Sequence, residues 1–218
     1  MSAEIFHCEQ NSPEWHICRL GIPTASEFKS ILAKGEGKMR KTYLYKLLGE
    51  RFTGEQAESF TNSHMERGHA MEDEARRLYA FQKDMDPEQI GFIRNGDVGC
   101  SPDSVVSKNG LVEIKTKLPH LQLEAFFADK LPSEHQAQVQ GQLWVAEREW
   151  CDFVSYWPRL PLFVKRIHRD DAYINELRKE VERFLDDLNI LTEKLVSRGA
   201  IPAQIVLPAP EHNPLVAV

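Results

Sequence analysis

The sequence predicts an α/β fold in which a central mixed sheet is flanked by helices and a long helix closes the chain. Three observations carry this prediction. Short apolar, alternating stretches at 90–94, 98–100, 105–106 and 111–116 read as strands separated by turn residues. Helices with recognisable caps precede and follow them. After Asp170, Ile174, Leu177, Val181, Phe184, Leu188, Leu191 and Leu195 recur at intervals of three and four, the stripe of one long amphipathic helix.

Taken in order, Ser12-Pro13-Glu14-Trp15 starts a helix, with Ser as cap, Pro in the first turn and an acid at the positive end of the dipole. It ends near Leu20, before Gly21. Thr24-Ala-Ser-Glu27 has the spacing of a capping box for a second helix, to about Leu32. Residues 33–41 form a basic loop containing glycine, and 42–52 a helix with Leu44, Leu47 and Leu48 inward. A long helix runs from Asn62 to about Lys83, with Met65, Ala75, Leu78 and Tyr79 toward a core.

After the first four strands, 120–130 and 132–147 read as helices. The stretches 151–157 and 162–168 pair as a hairpin around Pro158 and Pro161 that completes the sheet. The last helix packs on the body or meets another subunit; burial on its own body is the default. The chain suits one domain, 1–200, with a proline-containing extended tail at 201–218.

The formal net charge of −6 limits what the surface as a whole offers to nucleic acid. Its distribution matters more than the sum: Lys29, Lys34, Lys38, Arg40, Lys41 and Lys46 face the single acid Glu36 across that interval. No apolar run approaches the length of a membrane span, and no export signal is evident. Four cysteines without paired spacing fit reduced thiols in a cytoplasm.

Chemistry concentrates in Ser101–Lys117. Nine residues separate Asp103 from Glu113, across the turn signal Lys108-Asn109-Gly110. Alternation puts Glu113 and Lys115 on one face and turns Ile114 toward the core behind the sheet. Asp103, Glu113 and Lys115 then converge. Two oxygen ligands beside an ammonium suit a Mg²⁺ site that activates water against a phosphate. On residues alone, such a match more often marks charged side chains on a solvated hairpin.

The pattern Pro-Asp103, nine residues, Glu113-Ile-Lys115 is that of the PD-(D/E)xK nucleases. Cys100-Ser-Pro-Asp103 and Leu111-Val-Glu113-Ile-Lys115 resemble one branch, the lambda exonuclease and YqaJ-type phage recombination nucleases. Trp15…Arg19-Leu-Gly-Ile-Pro-Thr-Ala-Ser26 resembles that family's N-terminal element, Arg67-Gly68…Glu72 its R-G-x-x-x-E, and Gln138-Val-Gln-Gly-Gln-Leu-Trp144 its Q-x-Q helix. These segments follow the family's chain order. Ser104 departs from the Gly often found there, which puts the turn's geometry in question.

The resemblance implies a PD-(D/E)xK core and a Mg²⁺-dependent 5′-to-3′ exonuclease. Such an enzyme degrades one strand of linear duplex DNA from 5′-phosphorylated ends, leaving 3′ overhangs for recombination by single-strand annealing. It implies two Mg²⁺ ions, or Mn²⁺, held by Asp103, Glu113 and the Ile114 carbonyl, with Lys115 and Glu72 as further catalytic groups. Arg19, Ser26, Arg40, Gln138 and His135, which stands where many members have Tyr, would hold the 5′ phosphate and DNA. A homotrimeric ring, a single-strand annealing protein as partner and a phage or prophage source in the bacterial cytoplasm follow from the same likeness. The residues alone leave plainer readings open: Glu72 paired with Arg76 four positions on, Arg19 in a surface ion pair, Gln138 in a polar helix stripe. The alternatives are a PD-(D/E)xK endonuclease or RecB-like nuclease, and a DNA-end-binding protein without turnover.

Overall fold

The structure, a computed structural model, describes residues 3–33, 37–56 and 63–210, with the backbone alone for 63–70. Strand β1 is Glu4–Phe6, helix α1 Pro13–Arg19, α2 Phe28–Ile31, α3 Lys38–Thr53 and α4 Ser63–Lys83. Strands β2 (Phe92–Asn95), β3 (Val98–Cys100), β4 (Ser104–Val106) and β5 (Gly110–Lys115) follow. Then come α5 (Pro119–Ala128), α6 (Gln136–Val145), β6 (Trp150–Ser155), β7 (Phe163–His168) and α7 (Asp171–Val196). The expected helix start at Asn62, the Lys34–Glu36 part of the basic loop, the side chains of Met65 and Arg67, and the tail beyond 210 lie outside the described residues.

Local chemistry explains most boundaries. Ser12 Oγ accepts the Trp15 N–H at 3.2 Å, and Gly21 follows α1 at φ +68°, a left-handed position that suits glycine. The capping box at Thr24 does not form. Thr24 leads into a 3-10 turn, Ala25–Glu27, its N–H donates to Tyr43 Oη at 3.0 Å, and Glu27 accepts the Ser30 hydroxyl instead. Helix α3 begins four residues earlier than the sequence suggests, so Lys38, Arg40 and Lys41 occupy its first turns rather than a loop.

The strands form two ladders, not one continuous meander. One sheet has the order β1-β2-β3; the other, β4-β5-β6-β7, is mixed, with β5 and β6 parallel and the outer pairs antiparallel. Both facing edges are already taken. Gly99 on β3 donates to the Pro23 carbonyl, and Glu88 exchanges two backbone hydrogen bonds with Val105 on β4. The parallel β5–β6 pair needs a long crossover, which α5 and α6 supply.

The mixed sheet is covered on both faces. Val112, Ile114 and Val154 pack on Ala75 and Tyr79 of α4. Leu111, Cys151 and Phe153 point the other way, into the larger cluster with Phe28, Tyr43, Leu143 and the α7 stripe. Ile174, Leu177, Val181, Phe184 and Leu188 are buried on the chain's own body. Among the described residues no helix is long and apolar enough to cross a membrane, and the four cysteines form no disulfide.

Helix α6 lies close against the Ala25–Glu27 turn and α2. A Cβ on Gly141 would come within 2.5 Å of the Phe28 ring and 3.3 Å of Ala25 Cβ. Gly141→Val is therefore expected to lower unfolding free energy by about 1–3 kcal/mol in urea denaturation, the usual cost of overpacking; an unchanged midpoint would contradict this packing.

Candidate active site

The β4–β5 hairpin forms, with a different division of labour in its turn. Val106 pairs with Gly110, leaving Ser107–Asn109 as the loop, and Ser107 takes the left-handed conformation at φ +53°. Gly110 answers to packing: a Cβ there would lie 2.2 Å from the Trp150 ring. Because Ser104 pairs with Val112, the next cross-strand pair is Asp103 and Glu113.

Asp103 stands just before the start of β4. Its N–H donates to the Val112 carbonyl at 3.1 Å, and its Oδ2 accepts the Ile114 N–H at 2.5 Å. The side chain takes the place a further strand residue would have had, and strand geometry puts the Ile114 carbonyl on that same open edge. Burial, then the charges of Glu113 and Glu72, push the Asp103 carboxyl well above the usual carboxylate range, against the pull of Lys115 and the Ile114 N–H.

Glu113 is 1% exposed. Its Oε1 meets Lys115 Nζ at 2.5 Å and the Gln138 amide at 2.6 Å; its Oε2 accepts the Gln142 amide at 2.6 Å. Burial alone would lower the Lys115 pKa, but Glu113, Asp103 and Glu72 outweigh it and raise it, so the ammonium keeps its proton.

Glu72, on α4, acts electrostatically on both Asp103 and Lys115, and it also pairs with Arg76 at 2.5 Å. Arg76 in turn holds Asp73 at 2.6 Å and donates to Ser104 Oγ at 3.0 Å. Ser104 thus ties α4 to the hairpin, its hydroxyl also reaching the Asp103 carbonyl at 2.6 Å.

His135 precedes α6 and lies against Phe153, ring centroids 5.2 Å apart. Burial, with Lys117, Lys115 and Lys29 nearby, lowers its pKa to about 3, so it is neutral at physiological pH. Its Nε2 is buried with no hydrogen-bond partner among the described residues.

The remaining expected residues are dispersed. Arg19 lies 3.8 Å over the Trp15 ring and lines a cleft with Thr24, Tyr43, Lys46, Glu27 and Glu50; none of Asp103, Glu113 and Lys115 lines it. Ser26 is exposed on its turn, 3.3 Å from the Thr24 hydroxyl. Arg40 binds Asp187 of α7 at 2.8 Å and stacks near Phe184, which ties α3 to α7. Sequence reading missed Gln142, Ser104 and Arg76 as parts of the site. The amide-rich face of α6 was the available signal for the first.

Among the described residues no three His, Cys, Asp or Glu side chains form a ready-made metal cage. A hard cation such as Mg²⁺ uses one or two carboxylates and keeps several waters and substrate oxygens. Crowded carboxyls at Asp103, Glu113 and Glu72 are the donor chemistry such a cation would neutralise.

A family model described as the YqaJ-like viral recombinase domain matches residues 14–149. No match was found among curated proteins. A crystal structure of LHK-Exo in complex with dAMP is 36% identical with a TM-score of 0.81, covering 87% of this chain and 98% of that one. A second crystal structure of this alkaline exonuclease, from Laribacter hongkongensis, is 34% identical with a TM-score of 0.79 over the same shares. A phage-related exonuclease from Haemophilus somnus 129PT, 16% identical with a TM-score of 0.58 over 81% of this chain and 96% of its own, shares the fold. The mixed sheet with its flanking helices is thus a PD-(D/E)xK-type core, and the chain belongs to the YqaJ-like viral recombinase family of recombination nucleases.

Proposed function

We propose that the protein is a Mg²⁺-dependent exonuclease that degrades one strand of linear duplex DNA 5′ to 3′ from a 5′-phosphorylated end. The observation that carries this is the convergence of Asp103, Glu113 and Lys115 on one open strand edge beneath α6. That LHK-Exo, 36% identical to this chain, crystallises in complex with dAMP supports a deoxynucleotide-binding reading.

Asp103, Glu113 and the Ile114 carbonyl would hold the cation, and Glu72 would assist a second one. A bound divalent cation supplies Lewis-acid polarisation of the phosphate and a more acidic water. Lys115, kept protonated by its neighbours, orients the attacking water and offsets negative charge growing on the phosphate. The water oxygen adds to phosphorus, its proton passing to solvent, as the bond to the 3′ oxygen breaks and that oxygen takes up a proton from solvent. A 5′-mononucleotide leaves, and the shortened strand again carries a 5′ phosphate.

Arg19, Ser26, Gln138, His135 and Arg40 are proposed to hold that end. For Arg40 this requires release from Asp187. We further propose a homotrimeric ring, because enclosing DNA lets a chain of net charge −6 stay on it without strong surface attraction. The exposed 3′ strand would pass to a single-strand annealing protein in the host cytoplasm.

The test is digestion of linear duplex with 5′-phosphate or 5′-hydroxyl ends, beside closed circles, in Mg²⁺ and then in EDTA. Rapid loss of one strand from the phosphorylated linear substrate, abolished by EDTA, is expected. Equal cutting of circles would indicate an endonuclease, and end binding without cutting a non-catalytic protein. Lys115→Ala is expected to lower kcat about 10²–10³-fold, with the melting temperature checked in parallel. Arg19→Ala is expected to cut the preference for 5′-phosphate over 5′-hydroxyl ends by about tenfold, the worth of one charged hydrogen bond; an unchanged ratio of kcat/KM would remove Arg19 from the grip.

A further inference from the structure

Helix α6 buries two glutamines with different duties. Gln140, 1% exposed, donates to the His168 carbonyl and accepts the Asp170 N–H, both at 2.9 Å. Both ends of its amide serve the backbone between β7 and α7. Gln142, equally buried, gives its N–H to Glu113 Oε2 at 2.6 Å, while its own Oε1 is buried with no partner among the described residues. Val139, Leu143 and Val145 beside it on the helix are fully buried and apolar. A half-satisfied amide in such a place is inferior to an aliphatic chain of the same size as far as stability goes.

The contact it does make is selective. Gln138, one turn earlier and only partly buried, meets Oε1 of Glu113, the oxygen that also faces Lys115. The two oxygens of Glu113 are therefore unequal: Oε2 is locked from inside the protein, and Oε1 lies with the groups nearest the mouth.

We propose that Gln142 is a positioning residue that fixes the Glu113 carboxylate plane, reserving Oε2 so that Oε1 is the oxygen presented to a divalent cation. The inference rests on the metal-dependent reading above. A carboxylate free to turn about its last bond would offer either oxygen, and pinning it removes that freedom before the cation arrives. Partners of metal ligands are typically worth 10–100-fold in metal affinity.

The test is Mn²⁺ binding to the DNA-free protein, by electron paramagnetic resonance and calorimetry, with melting temperature measured alongside. Gln142→Met keeps the length and volume of the side chain and removes the donor. It is expected to weaken Mn²⁺ binding about tenfold with little change in melting temperature. Gln140→Met is expected to do the reverse, lowering the melting temperature and leaving Mn²⁺ affinity alone. Gln142→Leu repeats the measurement if the methionine variant does not fold, and failure of both to fold would make Gln142 structural and overturn the proposal. Asp103→Asn separates the two levels of the argument. If it abolishes Mn²⁺ binding while Gln142→Met binds like wild type, the metal reading stands and the role of Gln142 falls. A wild-type protein that binds no Mn²⁺ would overturn both.

Discussion

A carboxylate placed almost wholly inside the protein at Glu113 constrains everything around it. Burying such a group unpaired is prohibitive, and breaking a buried pair costs about 3–5 kcal/mol. Its oxygens must therefore be met by donors that the fold brings close, and Lys115, Gln138 and Gln142 meet them. Two of these come from α6, so α6 has to lie within side-chain reach of β5. The close approach at Gly141 and the seat against Phe28 and Ala25 place it there. The parallel β5–β6 pair, bridged by α5 and α6, is the topology that carries a helix back across this face.

The opposite edge of the site depends on a strand that begins late. Had β4 begun earlier, antiparallel to β5, Asp103 and Pro102 would have filled the ladder and covered Ile114. Pro102 has no N–H to give, and the Asp103 carboxylate takes the Ile114 N–H instead. An acidic oxygen thus stands on a sheet edge beside a backbone carbonyl. Arg76 and Ser104 fasten α4 to that point and bring Glu72 to it. The same pairing with Arg76 that makes Glu72 look like an ordinary helix-surface acid also holds it next to Asp103.

Much of this was legible because it depends on short-range periodicity. Alternation in Leu111–Lys115 put Glu113 and Lys115 on one face and Ile114 behind, and the three-four spacing after Asp170 described the buried face of α7. Strand β1 was too short to signal itself. The split into two sheets could not be read, because it depends on Pro23 and Glu88 occupying edges from distant parts of the chain. The capping box at Thr24 had the right letters, but Tyr43 on α3 claims the Thr24 N–H. Arg40 looked like a phosphate ligand within a basic run; its partner Asp187 lies 147 residues away. Gln142 sat in plain view on the amide face of α6, yet only the register of α6 over β5 says which amide reaches which oxygen.

The central claim is that Asp103, Glu113 and the Ile114 carbonyl enclose one divalent-cation position on the open edge of β5. The most direct measurement is anomalous diffraction from crystals of the protein soaked in Mn²⁺. The account predicts a peak bonded to both carboxylates, lost in crystals of Asp103→Asn. A peak seated elsewhere on the molecule, or none at saturating Mn²⁺ with the hairpin intact, would contradict it.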